Sequence, residues 1–571
     1  MIITRVFLLF VILGTSIRLT AQDNSNSKDL PLFKYAVFFK DKANSPYRLN
    51  EPEKFLSLRS IERRKRSGIP IDSTDLPVNP AYIRGVLETS PALTFVAKAN
   101  WSNYIIVKSS DSNAIQKASQ LPYVKEIREI YNSKKASKDL MALFMALLEP
   151  KNLSDLKGDN MKNLPALNYG QSEAQVSMIG ANYLHDKGGL GEDIVIAVLD
   201  GGFYRVDILP AFQSIRENGQ ILGTWDFVEN HDSVYEDNSH GMMVLSIMAG
   251  VVDGKLIGTA PKAKYWLLRT EDANTETISE EYNWEAGAVF ADSVGADIIN
   301  SSLGYTKFDN DIGSHTYEDL TGDKAIATKA ANMAFDKGIL VINSAGNEGS
   351  SAWRYIGVPA DGKKVMAVGA VKADRTLASF SSRGPTADGR IKPDVCAMGE
   401  MTTHSNTDGT ISKGNGTSFS APVLSGAAAA LWSLNRSANN KQIFEAIVRS
   451  ADRYNNPDND YGYGIPNMGT AHLILNNQYE EILNSKPDIV VYPNPSNNRT
   501  FFVDYFARQA GQILLRVSDT QGRKILERRE NVAANALAHF TVELPSRAAT
   551  GAYMVSVQDG TVNITKKIIL Q

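Results

Sequence analysis

The chain has 571 residues, with 60 Lys and Arg against 63 Asp and Glu, a formal charge of −3. Hydrophobic residues make up 43% and charged residues 22%, the balance of a soluble globular protein with a large core and room for about three or four domains. The near-neutral charge gives no sign of nucleic acid or an acidic membrane surface as partner. The single cysteine, Cys396, excludes an intrachain disulfide and a lipidated N-terminal cysteine.

At the N-terminus Arg5 precedes the apolar run Val6–Leu13, and small and polar residues follow to Leu19-Thr20-Ala21-Gln22. This is the order of a secretory signal peptide ending at residue 21, and the run is too short to span a bilayer. Residues 31–130 read as a small α+β unit. Lys34–Lys40 is a strand by composition. Glu53–Arg66 has helical spacing with Phe55, Leu58 and Ile61 on one face. Leu93–Val107 holds two more strands, Ser112–Leu121 a second helix, and Val124–Ile130 a last strand. The order β-α-β-β-α-β suits a ferredoxin-like fold. The basic run Arg63-Arg64-Lys65-Arg66 reads as a solvated helix end before Gly68, or else as a processing site.

Residues 131–167 form a polar linker interrupted by an apolar patch at Leu140–Leu148, read as a helix packing on a neighbour. Residues 168–476 form the largest domain. Apolar strands recur at Ile194–Leu199, Lys264–Leu268, Ile298–Asn300, Ile339–Ile342 and Val365–Gly369. Helical stretches at Gly241–Gly250, Trp284–Val294 and Lys324–Lys337 separate several of them. That alternation implies a parallel sheet covered on both faces, with chemistry at the carboxyl ends of its strands. After a linker at 477–489, residues 490–571 alternate as short strands and read as a β-sandwich.

Four polar segments lie just past such strands or at helix starts. Val198-Leu199-Asp200-Gly201 places a carboxylate at the end of the first strand, where Asp-Gly could also be a turn. Asn238-Ser239-His240-Gly241 opens a helix with a histidine, either a general base or a structural residue. Asn343-Ser344-Ala345-Gly346-Asn347 offers an amide donor in a glycine turn. Gly416-Thr417-Ser418-Phe419-Ser420-Ala421-Pro422 leads into an Ala-rich helix, so Ser418 is either its N-cap or a nucleophile whose transition state the helix start stabilises. Alone, none of the four decides.

Together, in the order Asp200, His240, Asn347, Ser418, they resemble the subtilisin (subtilase) family of serine peptidases over about residues 168–476. Ile299–Gly304, Phe380–Pro385 and Lys392–Val395 support the resemblance. It implies an α/β fold, a subtilisin-like parallel sheet with helices on both faces, and a secreted serine endopeptidase acting through an acyl-enzyme. Ser418 would be the nucleophile, His240 the base, Asp200 its orienting carboxylate and Asn347 the oxyanion donor. Ser302, Leu303, Gly304, Ala345 and Gly346 would line the substrate cleft, and these small and apolar residues favour an apolar side chain before the scissile bond. No cofactor is required for this chemistry.

The flanking regions resemble companions of that family. Residues 31–130 look like an inhibitory propeptide. Residues 490–571, with Tyr492-Pro493-Asn494-Pro495, Gly551-Ala552-Tyr553 and Thr565–Leu570, look like a type A sorting domain of the type IX secretion system. The implied partners are protein substrates, the chain's own propeptide and a secretion machinery. Three positions depart from the family pattern: Gly201 stands for Ser or Thr, Met242 for Thr, and Cys396-Ala397-Met398-Gly399 for an Ala-Pro-Gly continuation. The first removes a hydroxyl from the carboxylate, so backbone amides must replace it. Cys396 reads as a small buried apolar residue. Asp452, Asp458 and Asp460 lie in an Asp/Asn-rich stretch read as a solvated turn, with calcium binding as the alternative.

Overall fold

The structure, a computed structural model, describes residues 31–135, 158–163, 167–236, 238–560 and 562–571. The signal-peptide expectation and the Leu140–Leu148 helix lie outside the described residues.

The N-terminal domain is a four-stranded antiparallel sheet in the order Thr94–Ala99, Tyr104–Ser109, Phe33–Phe39, Val124–Asn132. That is the strand order of the ferredoxin-like arrangement, with one expected helix reduced. Ser112–Leu121 forms turns and only a short 3-10 helix at Ala118–Gln120, while an unforeseen helix, Pro80–Leu87, carries Asn79 as N-cap. Side chains on successive strand residues point to opposite faces. Phe33, Tyr35, Val37, Ile105 and Val107 build this domain's own core. Ala36, Tyr104 and Ile106 face the other way, into a core shared with Tyr282, Trp284 and Ala286 of the central domain. There Tyr104 sits edge-on to Tyr282 at 5.3 Å, and its hydroxyl donates to the Tyr282 carbonyl at 2.9 Å.

The first long helix runs Leu58–Ser67 and overturns two expectations. Leu58 is 70% exposed, so the apolar face does not form. Arg63 and Arg64, read as a solvated helix end, are each 1% exposed. Arg63 bonds to Asp292 and to the carbonyls of Ala296 and Lys337. Arg64 bridges Asp75 at 2.9 Å and Asp292 at 2.5 Å, and Lys337 closes on Asp75 at 3.0 Å. Buried charges are tolerated when paired and hydrogen-bonded, and apart from Asp75 these partners sit far downstream in the chain. The helix that looked solvated is a clamp onto the central domain.

The central domain is built on a seven-stranded sheet, all parallel. Its order is Val395–Met398, Met366–Val371, Leu340–Ser344, Ile298–Ser301, Val195–Asp200, Lys264–Arg269, Ile221–Asp226. The five strands expected from sequence are present, within one or two residues at their ends. The two outermost were not foreseen: Ile221–Asp226 is only half buried and interrupted by Gly223 and Thr224, the weak pattern of an edge strand. From Val195–Asp200 the chain first builds one flank, then crosses over helix Ser279–Val294 to Ile298–Ser301 on the other. The strand order therefore reverses between Val195–Asp200 and Ile298–Ser301. A crevice opens at their carboxyl ends, where ligands bind in such sheets. The Ala-rich helix Thr417–Leu434 passes through the middle of the core, with Ala427–Leu431 fully buried.

Residues 489–570 form two packed sheets of three and four strands, the β-sandwich expected, around Phe501, Val503, Leu515 and Val555. The sandwich docks on the central domain: the Leu537 N–H donates to Thr470 Oγ1 at 2.9 Å, and His539 bonds to Asp186 at 2.7 Å. No helix of the described residues is long and apolar enough to cross a membrane.

Candidate active site

Asp200 is the last residue of its strand and is fully buried. His240 is the first residue of helix His240–Ala249, and its backbone N–H donates to Asn238 Oδ1 at 2.7 Å. That helix must lie almost on the Asp200 side chain. A Cβ at Gly241 would fall 2.4 Å from the Gly202 carbonyl and 2.9 Å from Asp200 Cβ, so His-Gly is a steric requirement of the approach. The result is a 2.8 Å contact between His240 Nδ1 and Asp200 Oδ1. The Gly201 N–H donates to the same oxygen at 2.8 Å, the backbone bond expected in place of the absent hydroxyl. Burial lowers the His240 pKa, but the adjacent Asp200 charge and hydrogen bond outweigh it and leave the imidazole above its ordinary 6.5.

Ser418 is the second residue of its helix; Gly416 holds the N-cap position. The N-cap alternative for Ser418 therefore falls. Pro422 has no N–H to bond the Ser418 carbonyl four residues back. Ser302 supplies the missing donor: its Oγ–H donates to the Ser418 carbonyl at 2.9 Å. In return Ser418 Oγ–H donates to the Ser302 carbonyl at 3.2 Å. This exchange ties the serine to the end of strand Ile298–Ser301.

Asn347 is exposed at the mouth of the same crevice, after strand Leu340–Ser344. Its Oδ1 accepts from Thr417 N at 2.8 Å and Thr417 Oγ1 at 3.0 Å. With the oxygen held this way, the amide's NH₂ is the end left for the cleft. Gly346 beside it adopts a φ of +109°, in the region that favours glycine, and a Cβ there would meet Ser382 Oγ at 2.8 Å.

Asp200, His240, Asn347 and Ser418 thus line one cleft of about 630 Å³, together with Ser302, Leu303, Gly304 and Gly346. Ala345 does not line it. Its side chain is buried beneath, and its amide donates to the Val368 carbonyl at 3.0 Å. Sequence reasoning passed over Thr417 and Asn238, which position Asn347 and His240. It also passed over Glu271 and Glu276, which line the cleft wall just past strand Lys264–Arg269. The strand-end rule pointed to them, but no short motif flags them.

Cys396 is buried, and burial pushes its thiol far above the ordinary value, as expected of an inert core residue. The acidic stretch does not converge: Asp452 pairs with Arg375, Asp458 with Arg453 and Asp460 with Arg383. Among the described residues no group of three or more His, Cys, Asp or Glu side chains is placed to hold a metal ion.

The comparisons with known proteins agree on the three parts of the chain. Residues 191–464 match the Subtilase family, residues 34–141 the Peptidase S8 propeptide domain of Bacteroidota, and residues 490–571 the Secretion system C-terminal sorting domain. Among curated proteins the chain is similar to Subtilisin E of Bacillus subtilis (strain 168), 31% identical over 336 residues, 57% of this chain and 79% of that one. Subtilisin of Bacillus pumilus is 31% identical over 300 residues, 52% of this chain and 97% of that one. Thermitase of Thermoactinomyces vulgaris is 32% identical over 240 residues, 41% of this chain and 75% of that one. The sorting domain marks a secreted or cell-surface protein. With a cleft at the switch point of its parallel sheet, and with relatives matched over most of their length, the chain belongs to the subtilase family and is a serine endopeptidase.

Proposed function

We propose that the chain hydrolyses peptide bonds through an acyl-enzyme formed on Ser418, with His240 as general base and acid, Asp200 as its orienting carboxylate and Asn347 as oxyanion donor. The observation that carries this reading is the His240–Asp200 contact of 2.8 Å in one cleft with the helix-start serine. Ser418 Oγ turns from the Ser302 carbonyl to His240 Nε2, gives up its proton there and attacks the substrate carbonyl. Asp200 holds the Nδ1–H tautomer and stabilises the imidazolium. The Asn347 NH₂ and the Ser418 N–H meet the oxyanion, at the positive end of helix Thr417–Leu434. His240 then protonates the leaving amine, and water repeats the sequence to free the enzyme. Ser302–Gly304, running on from the end of its strand, pairs backbone to backbone with an extended substrate.

The activity is held in check until export. A signal peptide at 1–21 directs the chain through the periplasm. The N-terminal domain, ending near residue 130, then acts as inhibitor until cut away between about residues 131 and 168, the polar linker that follows it. Separate cleavage near residues 477–489 releases the sorting domain. A fluorophosphonate probe is expected to label the mature enzyme at Ser418 alone. Peptide mapping that finds the label on another residue, or no label on active enzyme, would refute the assignment.

The histidine sets the pH dependence. A general base works only when neutral, and His240 sits above 6.5, so activity is lost as pH falls through that raised value. The acid limb of kcat/KM is expected to have its midpoint above 6.5. In Asp200→Asn the limb should move below that of the wild type, because the charge that raises His240 is gone while its burial remains. A limb that stays in place in the variant would remove Asp200 from this role.

A further inference from the structure

One wall of the cleft carries a charge pattern that the reaction does not use. Besides Asp200, the lining includes Glu271, Glu276, Asp309 and Glu348, and among the described residues it includes no lysine or arginine. Glu271 Oε2 is shielded from solvent and has no hydrogen-bond partner among the described residues. Behind it, fully buried Glu280 accepts from the Thr277 N–H at 3.0 Å through Oε2, while Oε1 is left without a partner. The loop is fixed in place: the Asp309 N–H donates to the Glu276 carbonyl at 2.7 Å. Burial, reinforced by their neighbours' charges, raises Glu271 and Glu280 well above the carboxylate range and Glu276 to about 7. Like charges crowded together are costly, and an ammonium or guanidinium entering the cleft relieves that cost through charge-assisted hydrogen bonds.

The chain's own N-terminal domain already ends beside this wall. The last strand of the N-terminal domain ends at Asn132, and Ser133-Lys134-Lys135 follow. The Lys135 carbonyl accepts from Asn310 Nδ2, next to Asp309. Tyr131, Asn132 and Lys135 share a small cavity with Thr277, Ile278 and Asp309, on the flank of the acidic wall. Lys135 lies on the amino-terminal side of the expected cleavage stretch, so a substrate bound in the same direction would set the residues that precede its scissile bond along this wall.

We propose that Glu271 and Glu276 are specificity residues that select substrates carrying a lysine or arginine side chain on the amino-terminal side of the cleaved bond. This rests on the proposed peptidase reading of the cleft. It also narrows the apolar preference expected from Ser302–Gly304 and Gly346: these residues form the backbone-pairing floor, while the carboxylates form a side wall.

The test uses mature enzyme and internally quenched peptides that differ only by lysine, leucine or glutamate at one of the four positions before the cleaved bond. Wild-type enzyme is expected to favour lysine over glutamate about tenfold or more in kcat/KM at one of them at least. In Glu271→Gln/Glu276→Gln the ratio should fall towards one. Glutamine keeps the shape of glutamate, fluorophosphonate labelling reports whether the site has assembled, and single Glu276→Gln gives the same readout if the double variant does not fold. Cleavage of the leucine peptides with no lysine advantage at any position overturns this inference and leaves the peptidase reading standing. A lysine advantage undiminished in the variants overturns it too. Failure to cleave any peptide overturns both.

Discussion

Ser418→Ala is expected to lower peptide turnover on the order of 10⁶-fold, a figure carried over from nucleophile removal in subtilisin rather than derived from this geometry. The fold should be unaffected. The residue lies in the first turn of a helix that begins at Thr417, where alanine is a good helix former, and among the described residues the only side-chain bond lost is a 3.2 Å contact to the Ser302 carbonyl. Ser302 Oγ still satisfies the Ser418 backbone carbonyl at 2.9 Å, so the neighbouring strand end keeps its anchor. Three readouts should move together: peptide hydrolysis, fluorophosphonate labelling, and release of the N-terminal domain. If the chain cuts itself, the variant accumulates with that domain attached. Its Arg63 and Arg64 clamp on Asp292 remains intact in the uncut form. Full turnover in the variant would end the nucleophile assignment, and normal processing without turnover would show that another protease does the cutting.

Asn347→Ala should lower kcat by about 10²–10³ with little change in KM, again a magnitude taken from the equivalent loss in subtilisin. The amide bonds an oxygen that carries full charge only in the transition state, so substrate binding barely registers its loss. Stability should change little, since Asn347 is exposed and its main partner, Thr417, keeps its place in the helix. An unchanged kcat would remove the amide from the reaction. A large rise in KM at constant kcat would make it a substrate-binding group instead.

How much of this was legible in the sequence follows from the range of the interactions concerned. The central strands are runs of apolar residues buried on both faces, so composition alone marks Val195–Asp200 or Leu340–Ser344. The edge strand Ile221–Asp226 is half exposed and lacks that signal. Helix Pro80–Leu87 is short and opens with Asn79-Pro80, which reads equally well as a turn. In the cleft, Gly241 and the Gly416–Pro422 segment are visible as motifs because each meets a local steric or capping demand.

The sequence by itself marked the parallel sheet, because its strands show in short-range patterns of burial, while the four residues of the proposed chemistry and the roles of the flanking parts were legible through the resemblance to the subtilase family. Only the tertiary structure decided three further points. Ala345 lies under the cleft rather than in it. Arg63 and Arg64 are buried against Asp292 instead of solvated. Glu271 and Glu276 make one wall of the substrate cleft acidic. In each case the deciding neighbour is distant in sequence, and whether a charge is solvated, paired or crowded by like charges depends on that neighbour rather than on the residues beside it.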